Sequence, residues 1–497
     1  MNKVKVDNLH TLIQSLSPTE KRFFKRFLKG RKQEQNDYLR LFDELNSMHE
    51  YNREVLLKKI SIYNFQAHLE VKKHYLFQLI LDSLRQFRDA KLWLHNALAE
   101  IDILIEKGLY TYAHKRIRGL IKQAQVNEDF LFEIQLLQKE ILLARYQPQI
   151  NTPALLQEQH LCYAKSQNLL EYKQLLNELS AILSQNSFVR NSKQMQRFER
   201  FAKNKLVHNP AMAQSLNAQL CYYNFNFLYH ASLGENDKCI KAAAKMHRLI
   251  ATHPEATKSF AQIYLRAVSA RFSALIICGY KKFEFQSLVN ELKANSFRIT
   301  EPDTRKIAQA ILYEYQLIAH LREQNYDKAL KLVNDAIGFV SANEVLADGN
   351  AIKYLSFDIA KTFFITGRYA DANKWLLKSS FAESKSKGTD IYAFSRILSL
   401  LCDIFLNHTE NVKYNAAYLR KQLSKEGVLF EYEAFLLSRI ANTFIHWNIL
   451  PRNGKIGLLE RFKEELKIQL TSKWKANMVL YFDFEWWVDA QIRQLSA

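Results

Sequence analysis

Two stretches decide the fold: Arg322-Glu-Gln-Asn-Tyr326-Asp-Lys-Ala329-Leu330 and Ile365-Thr-Gly367-Arg-Tyr369-Ala-Asp-Ala372-Asn373. Each sets a polar or glycine turn ahead of a tyrosine, with an alanine three residues later, between segments of helical character. Helix, tight turn and helix form the unit of a solenoid, in which each hairpin buries its apolar face only against its neighbours.

Tyr326 and Tyr369 are 43 residues apart, and similar steps backward reach Gly279-Tyr280-Lys281 and then Gly234-Glu-Asn236-Asp-Lys-Cys239. Three further steps reach Gly108-Leu-Tyr110-Thr-Tyr-Ala113, passing turn signals at Asn151-Thr-Pro153 and Arg190-Asn-Ser192. Forward steps reach Asn407-His-Thr-Glu-Asn411 and Pro451-Arg-Asn-Gly454. A second set of breakers lies between these: His208-Asn-Pro210, His253-Pro254, Thr300-Glu-Pro302, Asp348-Gly349, Lys387-Gly388 and Glu426-Gly427. Two interleaved sets are what stacked helical hairpins require.

Composition points the same way. Only 12 Gly and 7 Pro occur in 497 residues, so few positions can interrupt a helix, and period-two runs of β-branched residues are scarce. The expectation is an all-α protein. With 48% hydrophobic and 12% aromatic residues there is ample material for a long core, which argues against disorder. The five cysteines (Cys162, Cys221, Cys239, Cys278 and Cys402) are scattered and read as buried thiols in a reducing compartment. The opening residues lack the apolar segment of a signal peptide, and no run of about 18 apolar residues is present. A cytoplasmic protein without a transmembrane segment is the expectation.

The N-terminal part carries its own helix signals. Ser17-Pro18-Thr-Glu20 reads as a capping box with proline at the first helical position, so a helix starts at Pro18 and stops at Gly30. Phe23, Phe24, Phe27 and Leu28 share its apolar side. Further helices are expected near Tyr38 to Ser47 and from about Phe65 to Arg88. Residues 1–95 are taken as an N-terminal helical module, 96–455 as the hairpin repeats and 456–497 as C-terminal capping helices. The last of these is dense in aromatics, Tyr481-Phe-Asp-Phe484-Glu-Trp486-Trp487, which either close the final hairpin or form an exposed docking surface.

Gly108/Tyr110/Ala113, Gly367/Tyr369/Ala372 and Gln324/Tyr326/Ala329 resemble the turn and second-helix start of tetratricopeptide (TPR) repeats. Ala336 matches that family's later small position, and Ala360 with Phe363 its first-helix pattern. The consensus Trp and closing Pro are absent, and the step is longer than the family's 34 residues. The resemblance implies a right-handed superhelix, an α-solenoid of antiparallel hairpins, in which Ala permits close helix approach and the aromatic packs over the turn. Leu16-Ser-Pro-Thr-Glu-Lys-Arg-Phe-Phe-Lys25 is also similar to the start of a group of bacterial helical-repeat proteins of unassigned activity, and implies none here.

The familiar catalytic motifs are absent: there is no glycine-rich phosphate loop, His-Glu-x-x-His, Gly-x-Ser-x-Gly or zinc-spaced Cys/His cluster. Arg439 and His446 are spaced loosely as in HEPN ribonucleases, but Ile440 replaces the polar residue that usually follows the Arg, and any long helix supplies such a spacing. Asp483/Glu485 and Glu431/Glu433 are two apart and diverge on a helix. No catalytic residue, cofactor or metal site is expected.

The formal charge of +20 suits an anionic partner or an inert basic surface. Two cationic segments stand out. One runs from Lys21 to Lys32 and includes Lys21, Arg22, Lys25 and Arg26. The other runs from Arg190 to Lys205 and includes Lys193, Arg197, Arg200 and Lys203, with Phe198 and Phe201 read as core-facing. Either could follow a phosphate backbone or be a solvated helix face. The reading is a non-enzymatic scaffold whose concave surface holds another protein or a peptide segment. Nucleic-acid binding, to RNA or DNA, through the basic faces is the alternative.

Overall fold

The computed structural model of this protein describes residues 7–29, 36–48, 51–60, 69–87, 89–183, 188–190, 192–253, 261–277, 280–343, 349–378, 389–470 and 476–496. Among them are 23 α-helices and no strand, so the chain is all-α. None of these helices is long and apolar enough to cross a membrane. The chain divides into two compact units, residues 1–123 with 132–156, and residues 124–131 with 157–497.

The first unit opens with α1 (Asn8–Ser15), α2 (Pro18–Lys29), α3 (Asn36–Ser47), α4 (Arg53–Ile60) and α5 (Leu69–Phe87). The capping box forms as expected: the Ser17 N–H donates to Glu20 Oε2 at 2.8 Å, and the Glu20 N–H to Ser17 Oγ at 3.2 Å. Phe24 and Leu28 enter a core with Leu9, Ile13, Phe42 and Ile80, while Phe23 and Phe27 are half-buried. The expected stop at Gly30, and residues 65–68 and 88 at the two ends of the expected helix from Phe65 to Arg88, lie outside the described residues. α6 (Asp89–Glu106), α7 (Tyr110–Val126) and α8 (Phe130–Leu143) follow.

Next comes α9 (Thr152–Leu183), a single helix of 32 residues. The expected turn at Asn151-Thr-Pro153 opens it, the expected turn at Arg190-Asn-Ser192 includes Asn191, which lies outside the described residues, and no turn divides residues 152–183, so the even spacing of hairpins is interrupted here. The reason is in the sequence: this stretch has no glycine, and its one proline, Pro153, sits in the first turn where its missing N–H costs nothing. α10 (Ser192–Ala202) then leads through two short 3-10 turns into paired helices.

The pairs are α11 (Leu216–Ser232) with α12 (Asn236–Ala251), α13 (Ala261–Ile277) with α14 (Lys282–Ser296), and α15 (Pro302–Arg322) with α16 (Tyr326–Ala342). α17 (Gly349–Ile365) with α18 (Tyr369–Leu376), and α19 (Asp390–Phe405) with α20 (Val412–Lys425), continue the series. α21 (Glu431–Asn442) and α22 (Arg452–Leu470) precede a 3-10 helix, Ala476–Leu480, and the last helix, α23 (Phe484–Ser496). The first helix of each pair touches the first helix of the next, from α11 to α21.

Seven turns share one form. Gly108, Glu128, Gly234, Gln324, Gly367, Asn407 and Gly427 all have φ between 49° and 77°. In each case the next N–H donates to the carbonyl five residues back, as from Arg368 to Phe363 at 2.8 Å. This is a Schellman closure, which satisfies carbonyls that the helix end leaves open. At Gly367 nothing lies within 4 Å of where a Cβ would stand, so the backbone angle and not crowding calls for glycine. Just past the turns, Ala113, Ala329 and Ala372 are completely buried where the two helices approach.

The aromatic tail is internal. Phe482, Phe484 and Trp487 are buried against Phe364, Phe405, Phe444 and Phe462, so the exposed docking surface allowed for this tail does not exist. It closes more than the last hairpin, because Phe364 lies on α17. Cys162, Cys221, Cys239 and Cys402 are buried free thiols, and Cys278 lies outside the described residues.

Candidate functional site

In the second unit, two stretches outside the paired α-helices lie on the face that the first helices of the pairs share. One is Phe188–Arg190, between α9 and α10. The other is the run from Ala476 into α23, whose 3-10 helix contacts α13.

Phe188–Arg190 is anchored through both main chain and side chains. The Val189 N–H donates to the Ser232 carbonyl at 2.8 Å, and the Phe188 ring meets Tyr481 edge-on at 6.2 Å. Arg190 is almost sealed, with 4% of its side chain exposed, between Asp390 at 3% and Glu433 at 0%. Its Nη2 donates to Asp390 Oδ1 at 2.8 Å and its Nη1 to Glu433, and the Phe430 ring lies 4.5 Å from the guanidinium carbon. Tyr481 also donates to Asp390 at 3.2 Å.

The acids are presented by helix starts. Asp390 opens α19, and Glu433 lies in the first turn of α21, where the backbone N–H groups favour a negative charge. Burial opposes the charge on Arg190, but Asp390 and Glu433 outweigh it and hold its pKa above the usual value. Burial raises the pKa of Glu433, and Arg190 offsets that only in part. One guanidinium thus serves two buried carboxylates.

Beside this lies a solvent-open cleft with an empty volume of ≈ 530 Å³, lined by Leu317, Arg322, Asp358, Lys361, Phe482 and Trp486 among others. Its charges are paired: Arg322 with Asp483 across the cleft at 2.8 Å, and Lys361 with Asp358 one turn away on α17. Glu314, on α15, is half-buried, yet burial followed by repulsion from Asp358 raises its pKa to about 8, against a smaller opposing pull from Lys361. Burial also raises the pKa of Asp358, with Lys361 pulling it down.

The residues singled out from sequence are distributed as follows. Tyr110 stacks on Tyr146 at 4.5 Å, Tyr369 packs against Phe364 and Phe405, and Tyr326 is half-buried at its helix start. In the first unit Lys21 is half-buried, Arg22 and Arg26 are exposed, and Lys25 pairs with Asp43 at 2.7 Å. In the second, Arg197 and Lys203 are exposed, Arg200 pairs with Glu178 at 3.3 Å, and the side chain of Lys193 lies outside the described residues. Phe198 and Phe201 are buried with Phe225 and Tyr229, as expected.

Arg190 corrects the sequence reading, which counted it in the basic segment: it is taken out of that surface and neutralised inside. Arg439 and His446 do not share a helix, because α21 ends at Asn442, and Arg439 pairs with Glu465 at 2.8 Å. Asp390 was missed, while Glu433 was considered only as half of a diverging carboxylate pair and Tyr481 only as part of the aromatic tail. For Glu433 a signal existed: it is a carboxylate beside Tyr432, Leu436, Leu437 and Ile440, on a helix whose other inward residues are apolar. No protein-family model matches this chain, and no curated protein matches it.

Proposed function

We propose that this protein is a non-enzymatic binding scaffold, a TPR-like right-handed solenoid of helical hairpins whose first-helix face holds an extended segment of a partner protein. On this reading Phe188–Arg190 is the chain's own occupant of that face, and a partner's segment takes its place. The observation that supports it is the seating of those residues: one main-chain hydrogen bond, one ring in an apolar socket and one guanidinium between two carboxylates. Those are the elements by which domains hold extended peptides, a backbone contact for affinity and side-chain pockets for specificity.

The test uses a fluorescent peptide of sequence Asn-Ser-Phe-Val-Arg-Asn-Ser and the Arg190→Ala chain, whose own anchor is gone. Saturable binding is expected, lost when the peptide's Arg is replaced by Gln. If a variant of unchanged helicity shows no saturable binding, the proposal falls. Nucleic-acid binding through α2 and α10 is the weaker reading, because Lys25 and Arg200 are drawn to carboxylates and Phe198 and Phe201 face inward.

A further inference from the structure

α20, Val412-Lys-Tyr-Asn-Ala-Ala-Tyr-Leu-Arg-Lys-Gln-Leu-Ser-Lys425, is two-sided in an unusual way. Val412, Ala416, Leu419 and Leu423 form the buried stripe, as helical spacing requires. Two residues further round, on the opposite side, Tyr414, Tyr418, Lys421 and Lys425 form a second stripe, flanked by Lys413 and Arg420. Tyr414 is 71% and Tyr418 60% exposed, and the four cations are exposed as well.

A tyrosine ring left in water on the side away from the core contributes nothing to packing. Elsewhere in the described residues, surface cations are commonly drawn to acids, as Arg116 is to Glu100, Arg368 to Asp371 and Lys467 to Glu464. On α20 none of Lys413, Arg420, Lys421 and Lys425 has such a pair, and neither tyrosine has a hydrogen bond or ring contact. The helix contains no carboxylate, and the nearest along the chain, Glu410 and Glu426, lie beyond its two ends.

We propose that this outer face of α20 is a landing surface for single-stranded nucleic acid, with bases stacked on Tyr414 and Tyr418 and phosphates neutralised by the surrounding cations. The two rings stand one helical turn apart, close to the ~5–6 Å between neighbouring side chains on a helix. The whole face is about 20 Å long, enough for a few nucleotides. Aromatic platforms set in a cationic surface bind unpaired bases with little regard to sequence, whereas paired bases offer no free ring face. The chain's charge of +20 draws a polyanion towards it. This surface is separate from the one that holds Phe188–Arg190, and the inference does not rest on that reading.

The test is fluorescence anisotropy of labelled 15-nucleotide oligo-dT and oligo-U on the full chain across a salt series. With both tyrosines changed (Tyr414→Ala and Tyr418→Ala), affinity should fall about 10-fold or more per ring at unchanged salt slope, and Tyr→Phe at both positions should restore it. With Lys421→Glu and Lys425→Glu, the slope of log affinity against log salt should shrink by about 1.4. These positions are exposed, so thermal unfolding should stay at the wild-type midpoint. Preference between the two oligomers separates DNA from RNA as the ligand. Three results would overturn the proposal: binding that the tyrosine changes leave intact, equal affinity for a duplex of the same length, or a tyrosine-dependent preference for poly-glutamate over both oligomers.

Discussion

Arg190 is the residue on which the second unit's inner charge balance depends. Removing one partner of a buried ion pair strands the other, and here two carboxylates would be stranded at once. Arg190→Met should therefore lower stability by about 3–5 kcal/mol in urea unfolding. Adding Asp390→Asn and Glu433→Gln should return a large part of that loss, because the charges left behind, and not the missing contact, dominate the cost. Arg197→Ala, by contrast, should change stability by less than about 0.5 kcal/mol, since that side chain is exposed. Along the sequence Arg190 and Arg197 look alike, as cations beside apolar residues. They differ only in what the fold brings to them, and the partners of Arg190 are 200 and 243 residues away.

At the scale of the element, the hairpin turns were legible where glycine marks them. Asn407 is the side chain that best tolerates this conformation, but at Glu128 and Gln324 the left-handed residue was not legible, because there the Schellman closure imposes a positive φ on a side chain that tolerates it poorly. Two substitutions should then act in opposite directions. Gly367→Ala meets no steric obstacle yet should cost about 1 kcal/mol through its backbone angle alone. Gln324→Gly should gain about 0.5 kcal/mol, the relief of strain less the added freedom of the unfolded chain. Paired thermal and urea midpoints check both, and equal signs would refute the account. α9 gives the complementary lesson. Its regular spacing suggested a hairpin, but without a breaker near its middle the helix simply continues.

For the whole molecule, the carboxyls of Glu314 and Asp358, whose pKa values burial raises, make stability depend on pH. Glu314 has an ordinary pKa of 4.5 when unfolded and about 8 when folded. Between those values the native state keeps a proton that the unfolded chain has released, so stability falls as pH rises through that window. The raised pKa of Asp358 acts in the same direction. Glu314→Gln should flatten the decline in melting temperature between pH 5 and pH 8 and leave the variant the more stable protein at pH 8. A wild-type profile that rises over this interval would contradict the burial assigned to Glu314.

Period and breakers in the sequence were enough to determine that the regular structure of the described residues is helical, that turns recur between paired helices, and that small alanines sit where helices meet. These are local matters, set by backbone conformation and by which side of a helix is apolar. Only the tertiary structure decided that Phe188–Arg190 and the aromatic tail lie on the shared face of the first helices, that Arg190 is an internal cation, and that Tyr414 and Tyr418 face water. Contacts between residues hundreds of positions apart leave no periodic trace, because they depend on how the helices are stacked and not on what any one segment prefers.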